Sequence, residues 1–345
     1  MPAVAAGSLV LVTGASGFIA AHTVQALLDA GFPVRGSVRS VDKGEYLKER
    51  FRGKSASFDY VIVDDIEKPN AFDEAVKGVG GVVHMASPFH LKAEDPEMLI
   101  GPAVGGTVGI LHSLKKHNPG VSRVVVTSST ASINDETRPA PFHFTEEHWN
   151  EYSAKVCAEK GRDAPNGHKY RASKTLAERA FWRFMETEDV AFDGVTINPP
   201  MVYGPIIHPV SNPESLNTSV ATFYDWFSGR KSQADIPFIA TANFVDVRDT
   251  ALAHVRALVV PEASGQRFIS SAGPASPNDF CIAIHHHFPQ LANVADGYPT
   301  NVEEINAASY LFDGAKAARV LGITYRDIDT CVKDMGDCLL DKFSL

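Results

Sequence analysis

Apolar runs of five to seven residues alternate along this chain with longer stretches in which apolar positions recur every three or four residues. Ser8–Thr13, Phe58–Val63, Gly81–Ser87 and Arg123–Ser129 are short runs rich in Val, Ile and Leu, the pattern of strands buried on both faces. Between them, residues 21–30, 71–76 and 99–116 carry the spacing of amphipathic helices, and Gly31 is placed as the stop of the first. Gly101, Gly105, Gly106 and Gly109 weaken the helix at 99–116 by propensity, so close packing on a sheet is expected there. Further helices are read at 216–227, and at 315–321 with Gly322 as its stop.

Strand–helix alternation of this kind predicts an α/β fold with a doubly wound parallel sheet of the Rossmann-like type. The turn after the first strand gives the alternation a ligand. Gly14-Ala15-Ser16-Gly17-Phe18-Ile19-Ala20 joins strand to helix. Gly14 permits a tight turn, Gly17 lets the backbone approach a pyrophosphate, and small Ala20 permits close helix–strand packing. The helix start offers free N–H groups to an anion. The second strand, within Phe32–Ser40, lacks the terminal acid that usually holds an NAD ribose. Arg39 stands there instead, with Lys43 close behind, and a guanidinium suits a 2′-phosphate. In such sheets ligands gather at the carboxyl ends of the strands, which brings Gly17, Asp65, Ala86 and Ser129 toward one crevice.

Tyr170 and Lys174 lie four apart in a run that reads as a helix, with Leu176, Ala177, Ala180, Phe181, Phe184 and Met185 on its apolar positions. A free Tyr titrates at about 10. An ammonium on the same helical face is expected to pull that value down toward the working range.

Taken together, these motifs resemble the short-chain dehydrogenase/reductase superfamily, extended type, over nearly the whole chain. Within it the likeness is to fungal NADPH-dependent aldehyde and ketone reductases of the methylglyoxal-reductase kind, relatives of plant dihydroflavonol and cinnamoyl-CoA reductases. The segments that carry it are 12–20, Arg39-Ser40, 84–89, 126–129, 170–174, 198–205, 216–219 and 244–249. The resemblance implies a Ser129–Tyr170–Lys174 triad and NADP(H) as cofactor. It places cofactor contacts on Gly14, Ala15, Ser16, Gly17, Phe18, Ile19, Arg39, Lys43, Asp65, Ile66, Pro199, Val202 and Ser219, and the strand end at Ala86 adds a further expected contact. It also implies a smaller, discontinuous C-terminal lobe that closes over the substrate. The dinucleotide-binding part is read as 1–198 with 240–262 returning to it, and the lobe as 199–239 with 263–345. Phe89, Tyr203, Phe223 and Trp226 come from segments expected to border the crevice, where they would make an apolar substrate pocket; for Phe223 and Trp226 the alternative is the core of the second lobe. The chain departs from the plant cinnamoyl-CoA reductases in lacking an Asn-Trp-Tyr-Cys-Tyr signature, and its 137–168 stretch is long and polar.

The expected activity is NADPH-dependent reduction of an aldehyde or ketone by a monomer or homodimer. Two rivals are a nucleotide-sugar epimerase or dehydratase, which typically holds NAD, and a non-enzymatic NADP(H) sensor, which generally lacks the Tyr. Composition narrows the field further. The chain has 345 residues and a formal net charge of −9, with no basic stripe to bind nucleic acid. No apolar run approaches the ~20 residues of a membrane span. The first strand leaves no room for a signal peptide, and the four cysteines show no C-x-x-C pairing, so a cytoplasmic protein with reduced thiols is expected. His285-His286-His287 is the one metal-like run. Consecutive side chains diverge and no Cys or carboxylate cluster accompanies them, so no metal is expected. His84 reads as a packing residue. Asp246, Arg248 and Asp249 read as an ion pair or helix cap.

Overall fold

The computed structural model describes residues 3–87, 93–237, 242–299 and 302–343. Its first half runs β1 (Val10–Val12), α1 (Phe18–Asp29), β2 (Val34–Val38), α2 (Val41–Arg50), β3 (Phe58–Ile62), β4 (Gly81–His84), α3 (Glu97–His117) and β5 (Arg123–Thr127). The middle holds β6 (Phe142–Phe144), α4 (Glu151–Lys160), α5 (Asn166–Thr187), β7 (Asp193–Asn198), β8 (Met201–Tyr203) and α6 (Thr218–Phe227). Then come β9 (Ala242–Asp246), α7 (Val247–Val259), β10 (Arg267–Ile269), β11 (Gly273–Ala275) and α8 (Pro277–His287). The chain closes with α9 (Val302–Ala307), β12 (Tyr310–Phe312), α10 (Ala315–Leu321) and α11 (Ile328–Lys342).

Seven parallel strands form the main sheet in the order β10-β7-β5-β4-β1-β2-β3. Alternation along each strand divides its side chains between two cores. Val10, Val12, Val83 and Val125 meet Val24, Leu27 and Leu28 of α1 and Leu258 of α7 on one face. Leu11, Val82 and Val124 meet Ile110 and Leu114 of α3 and Phe181 and Phe184 of α5 on the other. The order of connection reverses between β1 and β4, so the crevice for a ligand opens there, beyond the carboxyl ends. At the opposite ends, fully buried Arg123 of β5 grips Asp193 of β7 through Nε–Oδ1 at 2.6 Å and Nη2–Oδ2 at 2.8 Å. It also donates to the carbonyls of Ala257 and Val260.

Several expectations need correction. Residues 71–76 form successive turns rather than a helix, entered through Asn70 with φ of 63°. Among the glycines of α3 only Gly106 is tightly packed: a Cβ there would lie 2.9 Å from Ile66 Cδ1, whereas Gly101, Gly105 and Gly109 face open space. The boundary between the two parts also moves. β10, within the expected lobe, is the edge strand of the main sheet. Of the returning segment 240–262, α7 covers the main sheet, while β9 pairs with β8 and β11 in a small sheet of the lobe. α10 packs Ala317 and Leu321 into the main core. These short elements carry too few residues for periodicity to say which sheet they join. The polar stretch before α5 contributes β6, which pairs in parallel with β12. None of the helices among the described residues is long and apolar enough to cross a membrane.

Candidate active site

The glycine turn behaves as its residues dictate. Gly14 has φ of 64°, and a Cβ on it would lie 3.1 Å from Ala86 Cα at the end of β4. A side chain is therefore opposed by both conformation and space. The Gly14 N–H donates to Ser37 Oγ at 3.1 Å, tying the turn to β2. Gly17 is the N-cap of α1. It offers no side-chain cap, and no acid occupies the first turn, so the positive end of the helix is left for an anion.

From this turn a cleft extends in two directions. One arm, of about 430 Å³, is lined by Gly14, Ser16, Gly17, Ser37, Val38, Arg39, Lys43, Val63, Ile66, Met85, Ala86, Ser87, Leu216, Asn217 and Thr218. Exposed Arg39 and Lys43 are its only charged residues, and no carboxylate lines it among the described residues. The other arm, of about 300 Å³, is lined by Gly14, Gly17, Phe18, Ile19, Ala20, Met85, Ser87, Thr127, Ser128, Ser129, Tyr170, Lys174, Pro199, Pro200, Met201, Val202, Asn217, Thr218 and Ser219. The arms share the glycine turn, Met85, Ser87 and the start of α6. Ala15 and Asp65 line neither arm. Ala15 is fully buried, its Cβ occupying the space beside Gly36. The Asp65 carboxylate accepts the Glu67 N–H at 2.9 Å.

Ser129, Tyr170 and Lys174 meet in the second arm. α5 carries Tyr170 and Lys174 on one face, and Ser129 follows the end of β5. The Ser129 hydroxyl is hydrogen-bonded to the Tyr170 phenol, and its Oγ accepts the Ala131 N–H at 3.1 Å. Lys174 donates to Ser87 Oγ at 3.1 Å, and its Nζ lies 5.9 Å from the centre of the Tyr170 ring. The expected lowering of the Tyr170 pKa is not found. Burial pushes the phenol up to about 12, against the opposing hydrogen bond with Ser129. Burial lowers Lys174 to about 8, opposed by the negative charge of Glu178.

Glu178 was missed in the sequence, although it repeats the spacing of Tyr170 and Lys174 one helical turn on. Its buried carboxylate accepts from six donors. Oε2 takes Ser128 Oγ at 2.5 Å, Ser132 Oγ at 2.6 Å and Asn198 Nδ2 at 2.8 Å. Oε1 takes Arg267 Nε at 2.6 Å, Thr196 Oγ1 at 3.1 Å and Trp182 Nε1 at 3.4 Å. Three segments of chain are thus drawn onto α5 behind the cleft, and Ser128 is committed to them while Ser129 faces Tyr170. His84 is neutral and buried. Thr13 Oγ1 accepts the N–H groups of Met85 and Ala86, so its own hydrogen goes to His84 Nδ1 at 3.0 Å. Burial, with the charge of Lys174 behind it, lowers His84 to about 3.

Of the expected substrate residues, the three that are described do not line the cleft. Phe89 lies outside the described residues. Tyr203, Phe223 and Trp226 are buried in the core of the lobe. The Tyr203 ring packs 4.9 Å from that of Phe280, and Phe223 stacks on Phe227 at 5.5 Å. α6 buries its aromatic face, because each such ring removed from water stabilises the fold by about 1.5–3 kcal/mol. It offers the cleft its start, Thr218 and Ser219. Apolar Phe18, Met85, Pro200 and Met201 line the arm instead. Asp246 caps α7, as expected, and pairs with Arg248.

Residues 10–270 match the model of the NAD dependent epimerase/dehydratase family. The chain is similar to ketoreductase azaE of Aspergillus niger, with 41% identity over 341 residues that cover 96% of this chain and 98% of that protein. It is also similar to two solved structures. One is Gre2 from Candida albicans in complex with NADPH, with 32% identity, a TM-score of 0.88, and 98% of this chain and 100% of that one covered. The other is the yeast methylglyoxal/isovaleraldehyde reductase Gre2 complexed with NADPH, at 34%, 0.85, and 96% and 98%.

Proposed function

This chain belongs to the NAD dependent epimerase/dehydratase family, and from that premise we propose that it is an NADPH-dependent carbonyl reductase, converting an aldehyde or ketone to an alcohol. The observation that carries the reading is the meeting of Ser129, Tyr170 and Lys174 in an apolar arm that continues into a carboxylate-free, cationic one. The residues present fit the cofactor. The tight Gly14 turn and the uncapped start of α1 suit a pyrophosphate, and Arg39 with Lys43 suits a 2′-phosphate. NADPH supplies the hydride that goes to the carbonyl carbon.

The protein supplies the proton and the field. Tyr170, a protonated phenol at neutral pH, donates its proton to the carbonyl oxygen as charge develops there. Ser129, hydrogen-bonded to the same phenol, donates to that oxygen and lowers the cost of its charge. Lys174 presents its ammonium from the Ser87 side and keeps the field at the oxygen positive. The NADPH-dependent relatives and the cationic arm favour this reading over an NAD-holding epimerase.

NADPH consumption measured over a panel of aldehydes, diketones, ketoesters and sugar nucleotides tests the proposal. Turnover confined to sugar nucleotides overturns it. The cofactor assignment has its own test. Arg39→Asp removes charge-assisted bonds and sets a carboxylate against the phosphate, so NADPH is expected to weaken by about 1.5–3 kcal/mol. NADH should change little, and equal use of both cofactors by the unaltered protein contradicts the role given to Arg39.

A further inference from the structure

In sequence, His285, His286 and His287 diverge and no carboxylate stands beside them. The fold supplies the carboxylate. Asp329, in the first turn of α11, reaches the last turn of α8, 42 residues away from His287 in sequence. Its Oδ1 lies 3.3 Å from His286 Nδ1 and its Oδ2 lies 2.7 Å from His287 Nε2. Successive side chains on a helix stand about 100° apart, yet His286 turns its near nitrogen and His287 its far one. The two rings converge, with centroids 4.4 Å apart. One ligand atom from each of the three residues lies within 4.8 Å of the others. His285 is drawn elsewhere, to the Val294 carbonyl at 3.1 Å and to Asp296.

We propose that His286, His287 and Asp329 bind a divalent transition-metal ion that bridges the end of α8 and the start of α11. Two imidazoles and one carboxylate suit zinc, cobalt or nickel, whereas magnesium and calcium take sets made of oxygen. In a tetrahedral shell with bonds of about 2.0–2.2 Å the ligand atoms stand about 3.3 Å apart. His286 Nδ1 stands at that spacing from Oδ1 and His287 Nε2 lies closer, on Oδ2; the trio lies within 4.8 Å, so its widest separation contracts by at most about 1.5 Å when the shell forms. Water takes the fourth position, since the His286 side chain is 70% exposed and that of Asp329 49%. A pair of His–Asp hydrogen bonds accounts for the present distances, and the ion replaces those bonds when it enters.

Binding there has a structural consequence. α11 carries Val332, Met335 and Leu339 into the lobe core with Phe280 and Ile284 of α8 and Phe288 just after it. Met335 Sδ and Cys338 Sγ also receive the N–H groups of Gly204 and Ile206, just beyond cleft-lining Val202. An ion across α8 and α11 therefore holds closed the side of the lobe on which the cleft wall rests.

The test uses the full chain, freed of metal with a chelator and then titrated with Zn²⁺ or Co²⁺. Zn²⁺ is expected to raise the melting temperature by a few degrees at saturation, and Co²⁺ to develop the visible absorption of a four-coordinate N/O site. Asp329→Asn, which keeps the shape of the side chain, and His287→Ala should lose both signals, while His285→Ala keeps both. A melting temperature that Zn²⁺ leaves unmoved, or raises equally in Asp329→Asn, makes these residues a hydrogen-bonded cluster only and overturns the proposal.

Discussion

Tyr170→Phe is expected to lower turnover in carbonyl reduction by about 10²–10⁴, the worth of a positioned proton donor, with NADPH binding intact. The phenol ring is kept and only its hydroxyl is removed, so the arm keeps its shape. Ser129→Ala should also lose turnover, because it removes the group bonded to that phenol. Ser128→Ala should lose less, since Ser128 is engaged behind the cleft with Glu178. Steady-state kinetics alongside cofactor-binding titrations separate these effects. Near-normal turnover in Tyr170→Phe removes the residue from the mechanism, and a reversed order of the two serines means that the other one faces the oxygen.

Two ionisable groups of the cleft, Tyr170 and Lys174, fix the expected pH profile. Burial raises Tyr170 to about 12 and lowers Lys174 to about 8. Below pH 8 the phenol holds its proton and the lysine its charge. As pH rises through about 8 the ammonium is lost first, and turnover should fall there, well before the phenol ionises. A profile flat to pH 10 would show that the charge of Lys174 is not required.

Glu178→Ala is expected to destabilise the fold by about 3–5 kcal/mol, the cost of leaving a buried charge without its partner. Arg267, only 10% exposed in its side chain, loses its carboxylate, and Ser128, Ser132, Thr196 and Asn198 lose a common acceptor. Urea unfolding of the two proteins measures the difference. A loss below about 1 kcal/mol means that Arg267 is satisfied by its other partners, the Glu146 and His148 carbonyls and the Trp149 ring.

Much of the cleft was legible in the sequence because its parts are local. The glycine turn is a run of seven residues, and Tyr170 and Lys174 are one helical turn apart. Strand ends announce themselves by the stop of an apolar run, which is how Ala86 and Ser129 could be placed. What escaped depends on contacts between distant segments. Nothing near Glu178 signals that Arg267 pairs with it, 89 residues on, and nothing near His287 signals Asp329. The aromatic residues of α6 show the limit of periodicity. Their spacing predicts a buried face, but not whether the cleft or the lobe core buries it, and the core won. Three-residue strands such as β10 carry too little pattern to reveal which sheet they join.

Arg123 has a bearing on how this protein can be altered. Its guanidinium closes the amino ends of β5 and β7 with a buried, paired charge, while the opposite ends of the same strands deliver Ser129 and Pro199 to the cleft. Each strand is thereby anchored at one tip and open to variation at the other. A library meant to change substrate preference belongs at the carboxyl tips and in the α6 start, at Met85, Pro200, Met201 and Thr218. Changes placed at the Arg123 end risk the scaffold and offer no route to new chemistry.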